Sequence, residues 1–199
     1  MKKLAILTSS VVLATAISAA AFAAPLQDYS AGRVALDVGV NMPSDTEYGG
    51  HECDDSNSIY AGATLGLGNN MAVNYKWNSY DANHFDTDTH QLNLMYKFAP
   101  GLSAYAGYLH SNTSGALGDS QGSVQAGLAA SYDVGFATVW GNVGFGTNNS
   151  SYEIGLSRAV ASNVDLNISY YDQKVDDVLK DGDVDFKAKG VNAGVTFKF

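Results

Sequence analysis

The chain has 199 residues, with 21 glycines, 12 tyrosines, 3 prolines and a formal net charge of −9. An acidic chain without a strongly basic patch or a phosphate-binding glycine loop gives no support to a nucleic-acid or nucleotide-binding role. Cys53 is the single cysteine, which excludes an internal disulfide, and the sequence has no Cys/His spacing typical of a metal site. We therefore expect no cofactor.

Residues 1–23 have the pattern of a secretory signal peptide. Two lysines precede an apolar run from Leu4 to Ala20, and the segment ends in Ala-Phe-Ala. This pattern predicts export and cleavage after Ala23. The apolar run is short and rich in Ala, Ser and Thr, which argues against a membrane-anchoring helix. The mature chain is then residues 24–199, long enough for one domain.

Residues 24–199 contain ten segments in which apolar and polar residues alternate. This period of two is typical of β-strands with one apolar and one polar face. Most segments approach the roughly 9–11 residues with which a tilted strand crosses a membrane, and none offers the roughly 20 apolar residues of a membrane helix. The ten segments are residues 32–41, 59–67, 71–78, 90–98, 102–111, 122–132, 136–147, 152–157, 164–170 and 187–199.

The connections between these segments are alternately short and long. Short turns follow Leu67, Phe98, Tyr132 and Ser157, whereas the connections on the opposite side are longer and mostly acidic. An even number of strands connected in this way forms a meander whose first and last strands can pair and leave no free edge. We interpret five ranges as loops: residues 42–57, 81–89, 112–121, 148–150 and 173–185.

The last segment carries the most specific signal. Val191, Val195, Phe197 and Phe199 lie on one face and alternate with polar residues or glycine. A final strand of this kind, closing on an aromatic residue, resembles the assembly signal of bacterial outer-membrane β-barrels. The resemblance implies that these four residues are read by the barrel-assembly machinery.

The same resemblance implies a fold and a location. The fold is all-β, a closed antiparallel transmembrane β-barrel of ten strands in up-and-down order, in the outer membrane of a Gram-negative bacterium. Eight strands is the alternative if segments within residues 136–157 are not strands, and a soluble antiparallel barrel or sandwich shows the same alternation. The implied partners are outer-membrane lipids, lipopolysaccharide, the barrel-assembly machinery and periplasmic chaperones.

Charged residues at inward positions suggest two interpretations of the barrel interior. One is a structural network of ion pairs and amide hydrogen bonds, because a small barrel is about filled by its side chains. The other is a narrow polar passage, favoured by many inward glycines that leave space. The inward charged residues are Arg33, Asp37, Lys76, Lys97, Glu153 and Asp165.

The long connections offer two further candidate sites. Their carboxylates are expected to be solvated, or to bind divalent cations that bridge them to lipid phosphates, or to attract cations to the barrel mouth. The register that pairs Phe98 with Leu102 also sets His90 opposite His110, near Asp88. These side chains are candidate metal ligands, but two imidazoles are too few for a tight site.

Enzymatic outer-membrane barrels provide the alternative function. Ten strands resembles the omptin proteases, but we find no matching motif. His110-Ser111 faintly resembles the lipid A deacylase motif, yet adjacent strand residues point to opposite faces and cannot share a proton. We predict a porin-like barrel, not an enzyme, that allows limited diffusion of small solutes or serves membrane structure and surface contact. The alternative is an omptin-like protease or lipid A-modifying hydrolase with a site at the extracellular rim.

Overall fold

A computed structural model describes residues 26–53, 56–82, 85–114, 118–178 and 184–199 of the chain. The predicted signal peptide, residues 1–23, lies outside this range. No helix in the described residues is long and apolar enough to cross a membrane. The strands are β1 (Val34–Tyr48), β2 (His51–Cys53), β3 (Ser58–Gly68), β4 (Met71–Ala82), β5 (Phe85–Ala99), β6 (Leu102–Thr113), β7 (Ser120–Asp133), β8 (Thr138–Gly146), β9 (Asn149–Ala161), β10 (Val164–Val175) and β11 (Phe186–Lys198).

Ten of these strands form a closed antiparallel barrel. Each long strand pairs with the next along the chain, and β11 pairs back onto β1. The backbone of Phe199 completes the closure, because its N–H donates to Val34 O and its carbonyl accepts from Val34 N–H. β2 pairs only with the end of β1 and is not part of the wall. The prediction of ten strands is confirmed, and the eight-strand alternative is wrong.

The alternation of the sequence becomes the two faces of the wall. Leu92, Leu94 and Tyr96 of β5 are exposed on the outer face, whereas Asn93 and Met95 between them are buried inside. The predicted register is confirmed along most of the β5–β6 pair, where Leu94 lies opposite Ala106 and His90 opposite His110, but a β-bulge beside the turn pairs Leu102 with Ala99 and not with Phe98 as predicted. Outer apolar side chains of neighbouring strands therefore face lipid together, as a membrane barrel requires.

The two ends of the barrel differ. The turns after β3, β5, β7 and β9 lie with residues 26–33 and Phe199 at one end, which we call the short-turn end. The opposite end, called the hairpin end, carries the connections β4–β5, β6–β7, β8–β9 and β10–β11 together with β2. Bacterial barrels place their short turns on the periplasmic side and their longer connections outside.

The prediction of long loops at the hairpin end is wrong for much of residues 42–57 and 81–89. β1 continues to Tyr48, while β4 and β5 extend to Ala82 and Phe85. A β-bulge between Pro43 and Asp45 explains why the alternation of the sequence did not predict this extension of β1. The extra residue exchanges the two faces of the strand, so the apolar and polar alternation inverts in the middle of β1.

Candidate functional site

The interior of the barrel holds a small polar cavity halfway between the two ends. Its volume is about 110 Å³. Inward side chains of the strands line it, including Asp37, Lys76, Asn142, Glu153 and Asn192. Their periodic positions on the strands explain the lining, because every second residue points inward. This central cavity is the candidate functional site.

Glu153 is the hub of the polar groups around the central cavity. Lys76 Nζ donates to Glu153 Oε2 at 3.0 Å. Ser169 Oγ and Asn192 Nδ2 donate to Glu153 Oε1 at 2.6 and 3.0 Å. Asn142 Nδ2 approaches Oε2 at 3.5 Å. A buried carboxylate is stabilised only when its lone pairs are satisfied, and these four donors from four strands meet that condition.

Asp37 is the second carboxylate at the central cavity. Its side chain is 7% exposed, and Asp37 Oδ1 has no hydrogen-bond partner among the described residues. Gly62 separates Asp37 from Lys76 in the sheet register. Lys76 Nζ reaches past this position to Glu153 and lies 5.8 Å from the centre of the Tyr60 ring. Lys76, the one lysine among the described residues that line this cavity, thus pairs with one of two carboxylates.

Aromatic rings occupy the space above the inward glycines. A Cβ added to Gly39 would lie 2.5 Å from the Tyr60 ring, and one added to Gly155 would lie 2.6 Å from the Trp140 ring. The expectation that these glycines leave open space is therefore wrong. Each ring crosses a glycine that is its direct partner on the neighbouring strand, as in aromatic rescue of glycine. The contacts are Tyr60 over Gly39 and Gly194, Tyr105 over Gly127 and Gly144, and Trp140 over Gly155.

An apolar cluster fills the lumen at the hairpin end. We call it the hairpin-end cluster, and in it Phe186 packs against Tyr48 and Tyr80 with ring centroids 5.2 Å apart in both pairs. Tyr48 shares a hydrogen bond of 2.6 Å with Thr87, and Tyr80 OH donates to Gln173 Oε1 at 2.9 Å. The cluster closes this end of the barrel. Its buried members are Tyr48, Tyr80, Leu109, Tyr171, Val175, Val178, Phe186 and Ala188.

Most of the hairpin-end cluster lies outside the predicted strands. Tyr80, Tyr171 and Val175 lie beyond the predicted strand ends, and residues 173–185 were predicted to form a charged loop. In β4 and β10, every second residue continues to point inward as far as these residues. These three residues could have been identified by continuing the alternation of inward and outward positions beyond the last strongly apolar residue of each predicted strand. Val178, in the connection itself, folds inward and is fully buried.

The N-terminal segment, residues 26–31, closes the short-turn end. Leu26 and Tyr29 are buried against Met95 and Ala129 inside the barrel. The Tyr29 hydroxyl is hydrogen-bonded to Ser103 Oγ at 3.0 Å. Gly68 N–H donates to Tyr29 O at 2.8 Å, which fixes the segment to the turn after β3. One sequence feature indicates this contact, namely the aromatic residue Tyr29 shortly before the first strand.

Three of the six predicted lumen residues lie away from the central cavity. Arg33 Nε pairs with Asp28 Oδ2 at 3.1 Å on the exposed surface of the short-turn end. Lys97 Nζ donates to Gln27 O of the N-terminal segment at 2.6 Å. Asp165 is buried and forms an ion pair with Lys198. Asp37, Lys76 and Glu153 are therefore the members that the fold brings together.

His90 and His110 lie on the outer face near the hairpin end. Their rings stack with centroids 6.5 Å apart. Tyr75 OH is 2.8 Å from His90 Nδ1. Asp88 accepts a hydrogen bond from Trp77 Nε1 at 3.1 Å. Within the described part of the chain, no group of three or more His, Cys, Asp or Glu side chains is placed to hold a metal ion.

Ion pairs follow the outer face of the wall at the hairpin end. After the bulge in β1, Asp45 faces Lys189 and Glu47 faces Lys187, and each pair forms an ion pair. Lys174 binds Asp176 and Asp185 at 2.7 and 2.6 Å. The hydrogen bonds that Lys174 Nζ donates to these two carboxylates raise the pKa of Lys174. Four of the acidic residues in the predicted loops are thus paired with lysines of the same chain.

The four residues of the predicted assembly signal lie on the outer face of β11 or just after it. Val191 and Val195 pair with Met42 and Val38 of β1. Phe197 is 8% exposed, because it lies between outward residues of β1 and β10. Phe199 is 50% exposed and stands at the rim of the short-turn end.

Comparison with known proteins gives one family and several similar folds. A family model described as TonB dependent receptor-like, beta-barrel, matches residues 19–196. Neisserial surface protein A is 17% identical, with 84% of this chain and 96% of that chain covered and a TM-score of 0.46. The N-terminal β-barrel domain of OprF from Pseudomonas aeruginosa is 13% identical, covers 85% and 98%, and has a TM-score of 0.38. Ail of Yersinia pestis is 15% identical, covers 85% and 99%, and has a TM-score of 0.38. No curated protein matches the chain.

Proposed function

Because the chain belongs to the TonB-dependent receptor-like β-barrel family, we propose that this outer-membrane β-barrel protein is a closed barrel that serves membrane structure and surface contact. The family name refers to receptors, but a cavity of about 110 Å³ is far smaller than the roughly 300–1,000 Å³ of sites that bind organic ligands. Export by a signal peptide cleaved after Ala23 is part of the same proposal.

The hairpin-end cluster is the observation that carries the proposal. Leu109, Val175 and Phe186 are fully buried inside the lumen, together with the aromatic rings of Tyr48 and Tyr80. Burial of one large apolar side chain stabilises the fold by about 1.5–3 kcal/mol. Clearing three of them from the lumen would cost on the order of 5 kcal/mol, so spontaneous opening is rare.

The second closure supports the same function. The N-terminal segment buries Leu26 and Tyr29 in the opposite mouth. A solute would have to displace both closures to cross the membrane. The outer ion pairs at the hairpin end, in contrast, lie at the level of lipid headgroups, where lipids and lipopolysaccharide are the proposed partners.

Single-channel recording in planar bilayers tests the proposal. The wild-type protein, with its fold checked by heat-modifiable migration, should be electrically silent. A variant that combines Tyr80→Ala and Phe186→Ala with Leu26→Ala and Tyr29→Ala should conduct, because both closures are removed. Phe145→Ala, on the outer face, is the matched control and should stay silent. Steady conductance of the wild type would contradict the proposal.

Limited diffusion of small cations is the second candidate function. The observation that favours it is the polar lining of the central cavity, where two carboxylates face one lysine. Cation-selective steps in the wild-type recording would support this candidate and replace the first. An enzymatic function is less well supported, because His110 is on the outer face while Ser111 is buried inside.

A further inference from the structure

The inward charges of the central cavity do not cancel. With both carboxylates ionised, Asp37 and Glu153 bring two negative charges to the cavity lining, and Lys76 brings one positive charge. Asp172 also contributes to the cavity wall, but it alternates with the inward residues Tyr171 and Gln173 and is paired in the sheet with Lys189 on the outer face. The inward groups therefore leave one negative charge without compensation.

The hydrogen bonds around the cavity place this charge on Asp37. Lys76 Nζ forms an ion pair with Glu153 Oε2 at 3.0 Å. The nearby amide of Asn74 donates to Thr64 Oγ1 at 3.2 Å, and the amide of Asn192 donates to Glu153. Asp37 Oδ1 is left without a donor from the described residues, although the side chain is more than nine-tenths buried. An uncompensated buried carboxylate costs several kcal/mol, so the ionised form of Asp37 requires a cationic partner.

Two further unpartnered atoms indicate what else the cavity contains. Asn192 Oδ1 is a buried acceptor and Trp140 Nε1 is a buried donor, and neither has a partner among the described residues. Both residues line the central cavity. Water satisfies donors and acceptors alike, and a cavity of about 110 Å³ has room for roughly three molecules of that size. It is far smaller than the roughly 300–1,000 Å³ of organic ligand sites.

We propose that the central cavity binds one monovalent inorganic cation together with water, and that Asp37 is its charged ligand. One positive charge balances the inward groups. A divalent cation does not fit this site, because calcium takes six to eight oxygen ligands, several of them carboxylates, and the Lys76 ammonium group is close by. The site does not depend on whether the barrel conducts.

Equilibrium unfolding in different salts tests the proposal. The protein is refolded into detergent in sodium, potassium or N-methylglucamine chloride at equal ionic strength, because N-methylglucamine is too large for the cavity. Refolding in each salt is needed, since both ends of the barrel are closed and exchange is slow. The wild-type melting temperature should be higher in sodium or potassium, by about 5 °C when the cation is in hundredfold excess over its dissociation constant.

Matched variants identify the ligand. Asp37→Asn should abolish the difference between the salts, whereas Asp165→Asn should retain it, because Asp165 is a buried inward carboxylate that pairs with Lys198. Lys76→Met removes the competing positive charge and should lower the cation concentration at which stabilisation saturates. This opposite effect keeps the test valid if Asp37→Asn does not fold.

Two results would overturn the proposal. Equal wild-type melting temperatures in all three salts would mean that Asp37 is protonated, or that water alone satisfies its hydrogen bonds. Retention of the salt difference in a folded Asp37→Asn variant would place the cation elsewhere. Broadening of the sodium-23 NMR signal by the folded wild type, reversed by potassium, would support the cavity site.

Discussion

Removal of the Glu153 carboxylate is expected to cost the barrel about 3 kcal/mol of its free energy of unfolding. Glu153→Ala eliminates the bonds from Lys76, Ser169 and Asn192, which span 2.6–3.0 Å. Loss of one partner of a buried ion pair typically costs about 3–5 kcal/mol, because the other charge stays buried. The lower limit applies here, since the Lys76 side chain is 28% exposed and keeps part of its hydration.

The assay is reversible urea unfolding from lipid vesicles, followed by tryptophan fluorescence. A double-mutant cycle of Lys76→Ala and Glu153→Ala should give a coupling energy of about 2 kcal/mol, which isolates the ion pair from the other lost bonds. Arg33→Ala removes the exposed pair with Asp28 and should leave the unfolding curve unchanged. A loss below about 1 kcal/mol for Glu153→Ala, or a coupling energy near zero, would refute the reasoning.

Three other predictions concern assembly, register and closure. Deletion of Phe199 should lower outer-membrane levels while export continues, as measured by cell fractionation; unchanged levels would exclude a role in assembly. Cysteines at Leu94 and Ala106 should crosslink on mild oxidation because they are direct partners, and crosslinking of Leu94 only to a position one residue away would contradict the register. Tyr29→Phe removes the hydroxyl that bonds to Ser103 and should lower the free energy of unfolding by about 1 kcal/mol, with no change expected if the N-terminal segment were undocked.

The ten strands and their register were predictable because every residue of a membrane-spanning strand faces either the lipid or the interior of the barrel, in strict alternation. Each outward position of β5, from Leu92 to Phe98, meets lipid, so the alternation has no interruption. The turn after Ala99 then fixes the partner of every residue in β6. Local spacing was sufficient to place Leu94 opposite Ala106, although the two lie in different strands.

The ends of the strands were not predictable in the same way. Beyond the lipid the outer face becomes polar, so that Asp45 and Glu47 face outward while Tyr48 faces inward. The bulge in β1 inverts the pattern at the same place. Beyond this point the apolar residues point into the barrel instead of toward lipid. A prediction that assigns membrane strands by their outward apolar residues therefore assigns these residues to a loop.

At the candidate site, the sequence identified the charged residues but not their partners. The alternation along each strand predicted that Asp37, Lys76 and Glu153 point inward, because this alternation does not depend on the rest of the fold. Which carboxylate Lys76 reaches depends on side-chain paths across the lumen, where Tyr60 occupies the space next to Asp37. Contacts across a closed barrel have no sequence period, so only the three-dimensional arrangement determines them.

The rings that lie across inward glycines set the width of the lumen through side chains alone. Tyr60 covers Gly39 and Gly194, so one side chain occupies the lumen along three neighbouring strands. The glycine backbone beneath it contributes nothing that blocks the lumen. A descendant that exchanged a few such rings for serine would widen its lumen without altering strand number or register. Such an exchange would enlarge the middle of the lumen, while the hairpin-end cluster and the N-terminal segment would still close its two ends.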